Sequence, residues 1–267
     1  MIRFLSLSSG SSGNCYFFTD GKVSFLIDAG VGPRSCAKKL SEHSLSLGQV
    51  DFILVTHDHI DHIKALGIIS SRLCKPVYTT KRLKSALLQN ICTRGRMRGN
   101  LHTVREGEKE VICGVEVTCF EVSHDATQTI GYSIRFDGKS ITLVTDCGRM
   151  TPQIFSYVRE SDILILESNY DEKMLAEGAY PPVLQERIRG GNGHLSNTEA
   201  AWTLKSIFLE NNRLPKHIFL CHLSDNNNTP ELALSCSLEA LLSSGADRES
   251  FTLDALPRGK ASGLYTF

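Results

Sequence analysis

The sequence predicts an α/β fold, two packed sheets with helices on the outside, folded as one domain over residues 1–267. Two observations carry this. A block of short strand-like runs gives way to mixed helix and strand, and the same progression then occurs a second time. No internal repeat and no linker rich in Pro, Gly or Ser divides the chain, which at 267 residues can bury a sizeable core.

The elements follow in order. Residues 2–7, 15–18 and 23–28 read as strands, separated by turn-forming stretches at 8–14 and 20–22. A helix follows with Pro33 near its start. Residues 52–55 form an apolar strand that runs directly into Thr56-His57. Residues 63–73 and 81–92 read as helices, with a strand at 77–79 between them. The pattern then turns to β at 111–123, 131–136 and 140–145, with Asp137-Gly138-Lys139 as a hairpin turn. In the last third, 154–159, 198–210 and 231–242 look helical, and 163–167, 217–221 and 251–255 look extended.

Composition excludes several classes. Hydrophobic residues at 41% and charged residues at 22% are ordinary for a soluble chain, so disorder and fibrous folds are set aside. Net charge is zero, which offers no global attraction to nucleic acid or membrane. The charge is uneven, however: nine Lys or Arg and no Asp or Glu lie between Arg72 and Arg105. The nine cysteines are scattered with no C-x-x-C pair, neither a disulfide framework nor a zinc knuckle, and they suit a reducing cytoplasm. The opening Met1-Ile2-Arg3-Phe4 turns polar too quickly for a signal peptide. No apolar run approaches the roughly 20 residues that cross a bilayer. A cytoplasmic protein with no membrane partner is expected, and no oligomeric state is implied.

The chemistry concentrates in Thr56-His57-Asp58-His59-Ile60-Asp61-His62, directly after a buried strand. His57 and His59 are two apart, so both imidazoles can project to one side of an extended backbone. Asp61 and His62 start the following helix and point elsewhere. One short loop can thus supply ligands to two neighbouring ions, and neutral imidazole with carboxylate suits zinc first, manganese or iron equally well in kind. Asp58 is either an acceptor behind the ligands or a solvated carboxylate.

These residues resemble the metallo-β-lactamase superfamily, whose signature is H-x-H-x-D-H after a strand. The resemblance covers most of the chain, because the other positions match in order: Asp28 before the motif and His124, Asp146 and His222 after it each follow or end an extended run. It implies a four-layer αββα sandwich of two mixed sheets packed face to face, helices outside. It also implies two divalent metal ions, one held by His57, His59 and His124, the other by Asp61, His62 and His222. Asp146 would bridge them, with Asp61 and Asp146 the catalytic carboxylates, and Asp28 would orient the ligand loop by accepting from an imidazole N–H. Two ions about 3.5–4 Å apart can hold a bridging hydroxide at neutral pH.

Three features narrow the substrate. Asp146 is a carboxylate where antibiotic-cleaving relatives commonly carry a metal-binding cysteine, and Cys147 faces the other way along the strand. His194, in Gly190-Gly191-Asn192-Gly193-His194-Leu195-Ser196-Asn197, is similar to the histidine-serine motif of the superfamily's nucleases. It would contact a phosphoryl oxygen or protonate the leaving alkoxide, while Ser196 or Asn197 caps a helix that could meet a phosphate. The segment Ser11, Ser12, Asn14, the His194 motif and His222-Leu223-Ser224-Asp225 together are similar to the small bacterial YycJ/WalJ (VicX) subgroup. That resemblance implies a DNA exonuclease with double-stranded DNA as partner, and Ser11, Ser12, Asn14, Ser196 and Asn197 as substrate contacts. Arg94-Gly95-Arg96-Met97-Arg98 is then either a phosphate track or a solvated loop. The alternatives are a small-metabolite hydrolase (thioester, lactone or cyclic phosphodiester) on the same ions, and a regulatory binding module, which a broken ligand set would have favoured.

Overall fold

In the computed structural model, which describes residues 1–97, 99–211 and 213–267, the chain opens with β1 (Arg3–Ser8), β2 (Cys15–Thr19) and β3 (Ser24–Ile27). Then come α1 (Pro33–Ser41), β4 (Phe52–Leu54), α2 (Ile60–Ile63), α3 (Leu66–Leu73), β5 (Val77–Thr79), α4 (Lys81–Gln89) and β6 (Leu101–Thr103). A run of strands follows: β7 (Lys109–Ile112), β8 (Val115–Val122), β9 (Thr129–Phe136) and β10 (Lys139–Val144). Next are α5 (Pro152–Val158), β11 (Ile163–Glu167), α6 (Glu172–Glu177), α7 (Pro182–Arg189) and α8 (Asn197–Asn211). The chain closes with β12 (His217–Cys221), α9 (Pro230–Leu242), β13 (Thr252–Ala255) and β14 (Tyr265–Thr266).

Two mixed sheets of seven strands result, ordered β14-β1-β2-β3-β4-β5-β6 and β13-β12-β11-β10-β9-β8-β7. In the first, β14, β1, β2 and β3 pair antiparallel, and β3 to β6 pair in parallel. In the second, β10 to β13 are parallel while β9 joins β10 antiparallel. The chain divides into two compact units: Met1–Cys119 with Ala126–Thr129 and Pro257–Phe267, and Phe120–Asp125 with Ile130–Leu256.

In the first unit the period-2 pattern of the strands sorts side chains cleanly. Leu5, Leu7, Phe17, Leu26 and Ile53 point to one face, where they pack with Cys36, Leu40, Ile63, Leu66 and Ile69 from the helices. Phe4, Phe18, Phe25 and Phe52 take the other face and stack as a ladder, with centroids 4.7, 5.1 and 5.1 Å apart. Both faces are out of water, which is why these strands read as apolar runs rather than as alternation. In the second unit, Leu164, Leu166, Ile218 and Leu220 pack against Ile154, Ala200, Leu204, Ala233 and Leu241 of α5, α8 and α9.

Several local expectations are corrected. The helix expected over 63–73 starts at Ile60 and breaks at Ala65, whose N–H donates to Ala29 O instead of continuing the helical ladder. The extended run expected over 111–123 is a hairpin, because Cys113 (φ 51°) and Gly114 (φ 83°) form a two-residue turn of the kind that matches strand twist. The helix expected over 81–92 ends at Gln89, where Asn90 turns extended. Short α6 and α7 were not expected, and α7 has no buried residue to create a periodic signal.

One feature positions the site. Of the seven non-glycine residues at positive φ among the described residues, Asp28 (61°), Asp146 (52°) and His222 (54°) stand just past the carboxyl ends of β3, β10 and β12. Asp and His tolerate the left-handed region better than branched residues do. Each strand therefore turns sharply at a residue expected to have chemistry, at the strand ends where open α/β sheets collect their functional groups.

Candidate metal centre

In the first unit, β4 delivers Thr56 and His57 into the loop before α2, both fully buried. His59 is the N-cap of α2, and Asp61 and His62 lie in its first turn. The rings of His57 and His59 are 4.7 Å apart, and those of His57 and His62 are 4.0 Å apart. His62 thus turns toward His57 instead of pointing elsewhere, because the tight turn bonds His62 N–H to His59 O at 3.0 Å. Asp61 Oδ2 lies 3.4 Å from His62 Nε2.

Asp28 organises this half. Its Oδ1 accepts from Thr56 N–H at 2.8 Å, and its Oδ2 accepts from Thr56 Oγ1 at 2.8 Å and from His62 Nδ1 at 2.7 Å. Because Thr56 spends its hydroxyl hydrogen on Asp28, its oxygen is left to accept from His57 Nδ1, 3.0 Å away. The residue 8–14 segment is not a loose loop. Asn14 is buried, with Oδ1 accepting from Gly10 N–H at 2.7 Å and Nδ2 reaching Asp61 Oδ2 at 3.2 Å and His62 Nε2 at 2.8 Å. Ser11 and Ser12 sit exposed at its tip. Asn14 N–H donates to Asp61 O at 2.7 Å, and Gly30 N–H to Asn14 O at 2.9 Å, so three loops interlock. Gly30 is obligatory here: a Cβ would lie 1.6 Å from Asp61 O.

Asp58 is neither a ligand nor merely solvated. Its carboxylate accepts from Thr127 N–H at 3.1 Å and from Thr127 Oγ1 at 2.6 Å, and its carbonyl accepts from Asn90 Nδ2 at 3.2 Å.

In the second unit, donor atoms of Asp146, Glu167, His194 and His222 all lie within 4.8 Å of one another. Glu167, the last residue of β11, was not singled out in the sequence. It is fully buried and accepts from His194 Nδ1 at 2.8 Å, His222 Nδ1 at 2.9 Å, Cys147 N–H at 2.7 Å and Leu195 N–H at 3.1 Å. Burial would raise its pKa, but the charge of His194 and the hydrogen bonds from both imidazoles hold the carboxyl down at about 2. The signal was available: a lone charge closing the apolar Ile163-Leu164-Ile165-Leu166 run. Burial pulls the pKa of His194 down, but Glu167 outweighs it and raises the pKa overall.

His124, two residues past β8, is nearly buried, and its Nδ1 donates to Gly193 O at 2.8 Å. Its ring is 4.9 Å from that of His194, and burial lowers its pKa. Asp146 Oδ1 lies 3.6 Å from His124 Nε2 and 3.5 Å from His222 Nδ1, and its Oδ2 accepts from Thr145 Oγ1 at 2.8 Å. Asn169 Nδ2 donates to His222 O at 2.7 Å, a support with no sequence signature.

Cys147 is buried, and its thiol donates to Arg149 O at 3.2 Å. Ser196 is buried and builds a capping box: its hydroxyl accepts from Glu199 N–H at 3.1 Å, and its own N–H donates to Glu199 at 2.9 Å. Asn197 is buried too, bonded to Ser168 at 2.7 Å and Asn228 at 2.9 Å. Both therefore serve the start of α8. Arg187 pairs with Asp125.

The donor chemistry fits divalent ions. Nδ1 of His57, His62, His124 and His222 is each held by a protein oxygen, from Thr56, Asp28, Gly193 and Glu167 respectively. That fixes the tautomer with its lone pair on Nε2, the support metal-binding imidazoles characteristically have. Donors are nitrogen and oxygen only, a set that suits zinc, manganese or iron.

This fold and these strand-end donors define a class, and comparison confirms it: residues 24–218 match the beta-lactamase superfamily domain, and the chain belongs to that family. Over its full length the fold also matches the metallo-beta-lactamase fold protein YhfI of Bacillus subtilis, at TM-score 0.68 with 15% identity, covering 98% of each chain. Within the family, the chain is 32% identical to the exodeoxyribonuclease YycJ of Bacillus anthracis over 87% of its own length and 86% of the relative's. It is likewise 32% identical to the exodeoxyribonuclease WalJ of Streptococcus pneumoniae, over 87% and 85%. Among the described residues, no helix is long and apolar enough to cross a membrane.

Proposed function

We propose that this chain is a dinuclear metal-dependent phosphodiesterase, a DNA exonuclease acting on double-stranded DNA. We take residues 1–267 as one functional domain, since the chain leaves its first unit twice and returns to it for β14. His57, His59 and His124 would hold one ion and Asp61, His62 and His222 the other, with Asp146 serving both. Zinc is the first choice among zinc, manganese and iron. When bound, such a pair lowers the pKa of its water towards ~7 and neutralises phosphoryl charge.

The rest falls to the protein. The observation that carries the reading is the buried Glu167 holding His194 by Nδ1 at 2.8 Å, in a cluster where Glu167 is sealed and the His194 side chain keeps 20% exposure. An imidazole pinned at one nitrogen and reachable by solvent can offer Nε2 to a phosphoryl oxygen or give a proton to the leaving alkoxide. The names of the two relatives support a DNA phosphodiester as the bond attacked. Ser11 and Ser12, exposed at their loop tip, would contact substrate, and the Asn14 amide reaches Asp61 Oδ2 and His62 Nε2 themselves. All nine cysteines are free, which supports a reducing cytoplasm as the setting.

The test is a time course on end-labelled DNA duplexes, with and without a 5′-phosphate, beside matched RNA. Zinc and manganese are supplied separately, and Asp146→Asn is the control. Progressive shortening of duplex DNA by the wild type alone is the expected result. A chain that carries about two metals and cuts neither nucleic acid overturns the reading in favour of a small substrate.

A further inference from the structure

The run of cations between Arg72 and Arg105 has no place in the chemistry above, and its arrangement in the first unit is specific. Lys81, Arg82, Arg94 and Arg96 are exposed, and Lys84 is half-buried. Among the described residues none of the five forms an ion pair, and the segment holds no acidic residue that could neutralise them. Arg98 lies outside the described residues.

The helix carrying Lys81, Arg82 and Lys84 is bolted to the histidine motif at both ends. At its start, the N-cap Thr80 donates Oγ1 to Gln128 Oε1 at 2.5 Å, and the adjacent Thr127 is gripped by the Asp58 carboxylate. At its finish, Asn90 Nδ2 donates to the Asp58 carbonyl at 3.2 Å. The loop beyond is seated as well: Met97 is 1% exposed, and Gly67 of α3 admits the loop backbone so closely that a Cβ would lie 2.6 Å from Cys92 O. Asp58, between His57 and His59, is thus the hub that sets where this basic face stands relative to the motif.

We propose that α4 and the Arg94–Arg96 loop form the track for the phosphate backbone of the DNA, leading the strand to His57 and His59; this rests on the nuclease reading. Unpaired cations fixed in place release counterions from a polyanion. The cations of α4 lie in its first four residues, about 6 Å of helix, the axial length of about two phosphates of one strand at 3.4 Å each. The only aromatic of the run, Tyr78, is half-buried and stacks on His102 at 5.0 Å, so no base-stacking platform is offered. The track reads charge, not sequence.

The experiment measures binding of a fluorescent DNA duplex by anisotropy across a salt series, in chelator, so that binding is read without cleavage. The wild type is set beside a Lys81→Gln, Arg82→Gln, Arg94→Gln, Arg96→Gln variant, and beside one with Arg82, Arg94 and Arg96 changed to Lys. The glutamine variant should bind at least tenfold more weakly, and the slope of log affinity against log salt should shrink by about 3.6, roughly 0.9 for each of the four cations. Its hydrolysis of bis(p-nitrophenyl) phosphate should stay at the wild-type rate, and the lysine variant should keep most of the affinity. An unchanged affinity and slope in the glutamine variant overturn the track while leaving the nuclease reading intact if the wild type cuts duplex. A wild type that neither binds nor cuts DNA overturns both.

Discussion

His194 Nδ1 lies 2.8 Å from Oε1 of Glu167, a carboxylate with no exposure to solvent at all. A sealed acceptor of this kind does not contact substrate. It sets which imidazole nitrogen carries hydrogen and which way the ring faces, and it does the same for His222 from the same oxygen at 2.9 Å.

Replacing Glu167 with Gln puts an amide where four donors converge, so at least one faces another N–H. Activity or metal affinity should fall about 10- to 100-fold. A wild-type rate on end-labelled duplex with unchanged zinc content would remove Glu167 from the working site.

Asp28→Asn tests the other half. Asp28 accepts three hydrogen bonds while buried, and asparagine cannot accept all three with the same geometry. Zinc affinity, read by competition with a chromophoric chelator, should drop by about 10- to 100-fold. Retained affinity would show that the His62 tautomer does not depend on it.

Gly30→Ala should be among the most damaging changes in the chain although it removes nothing. The added carbon would sit 1.6 Å from Asp61 O, in the place where three loops interlock. Overpacking commonly costs about 1–3 kcal/mol and occasionally more, and here backbone must move. Urea unfolding should show a loss of about 3 kcal/mol or a chain that does not fold; an unchanged midpoint would refute the close approach.

The acid side of the stability profile should depend on Asp162, which takes no part in the donor cluster. Burial would raise its pKa, but Ser140 N–H and Oγ at 2.9 Å and Arg213 at 2.7 Å lower it overall. A carboxyl depressed in the folded state stabilises above its unfolded pKa of about 3.9, and that stability is lost as pH falls through the folded value. Asp162→Asn should therefore lose about 1.5 kcal/mol at pH 7, and the two unfolding midpoints should converge as the medium is acidified below the ordinary aspartate range. A deficit that persists undiminished in acid would assign the loss to packing instead.

Much of this protein is legible in one dimension. The apolar runs ending in Asp28, His57, Asp146 and His222 announce both the strands and the donors, because a charge or imidazole closing a buried strand stands out against its neighbours. Glu167 obeys the same rule, but a single glutamate carries no motif that marks it as a donor. Tertiary structure alone decided the rest. That Asp58 ties α4 to the histidines, that Gly30 lies against Asp61, and that Asn197 is spent inside the fold while Ser11 and Ser12 face water all depend on which loops meet. Such encounters join residues 30 to 70 positions apart, and neither period nor composition encodes them. The sequence determined the donors and the strands that carry them; the packing of loops determined which donors are held, by what, and which face is left for a partner.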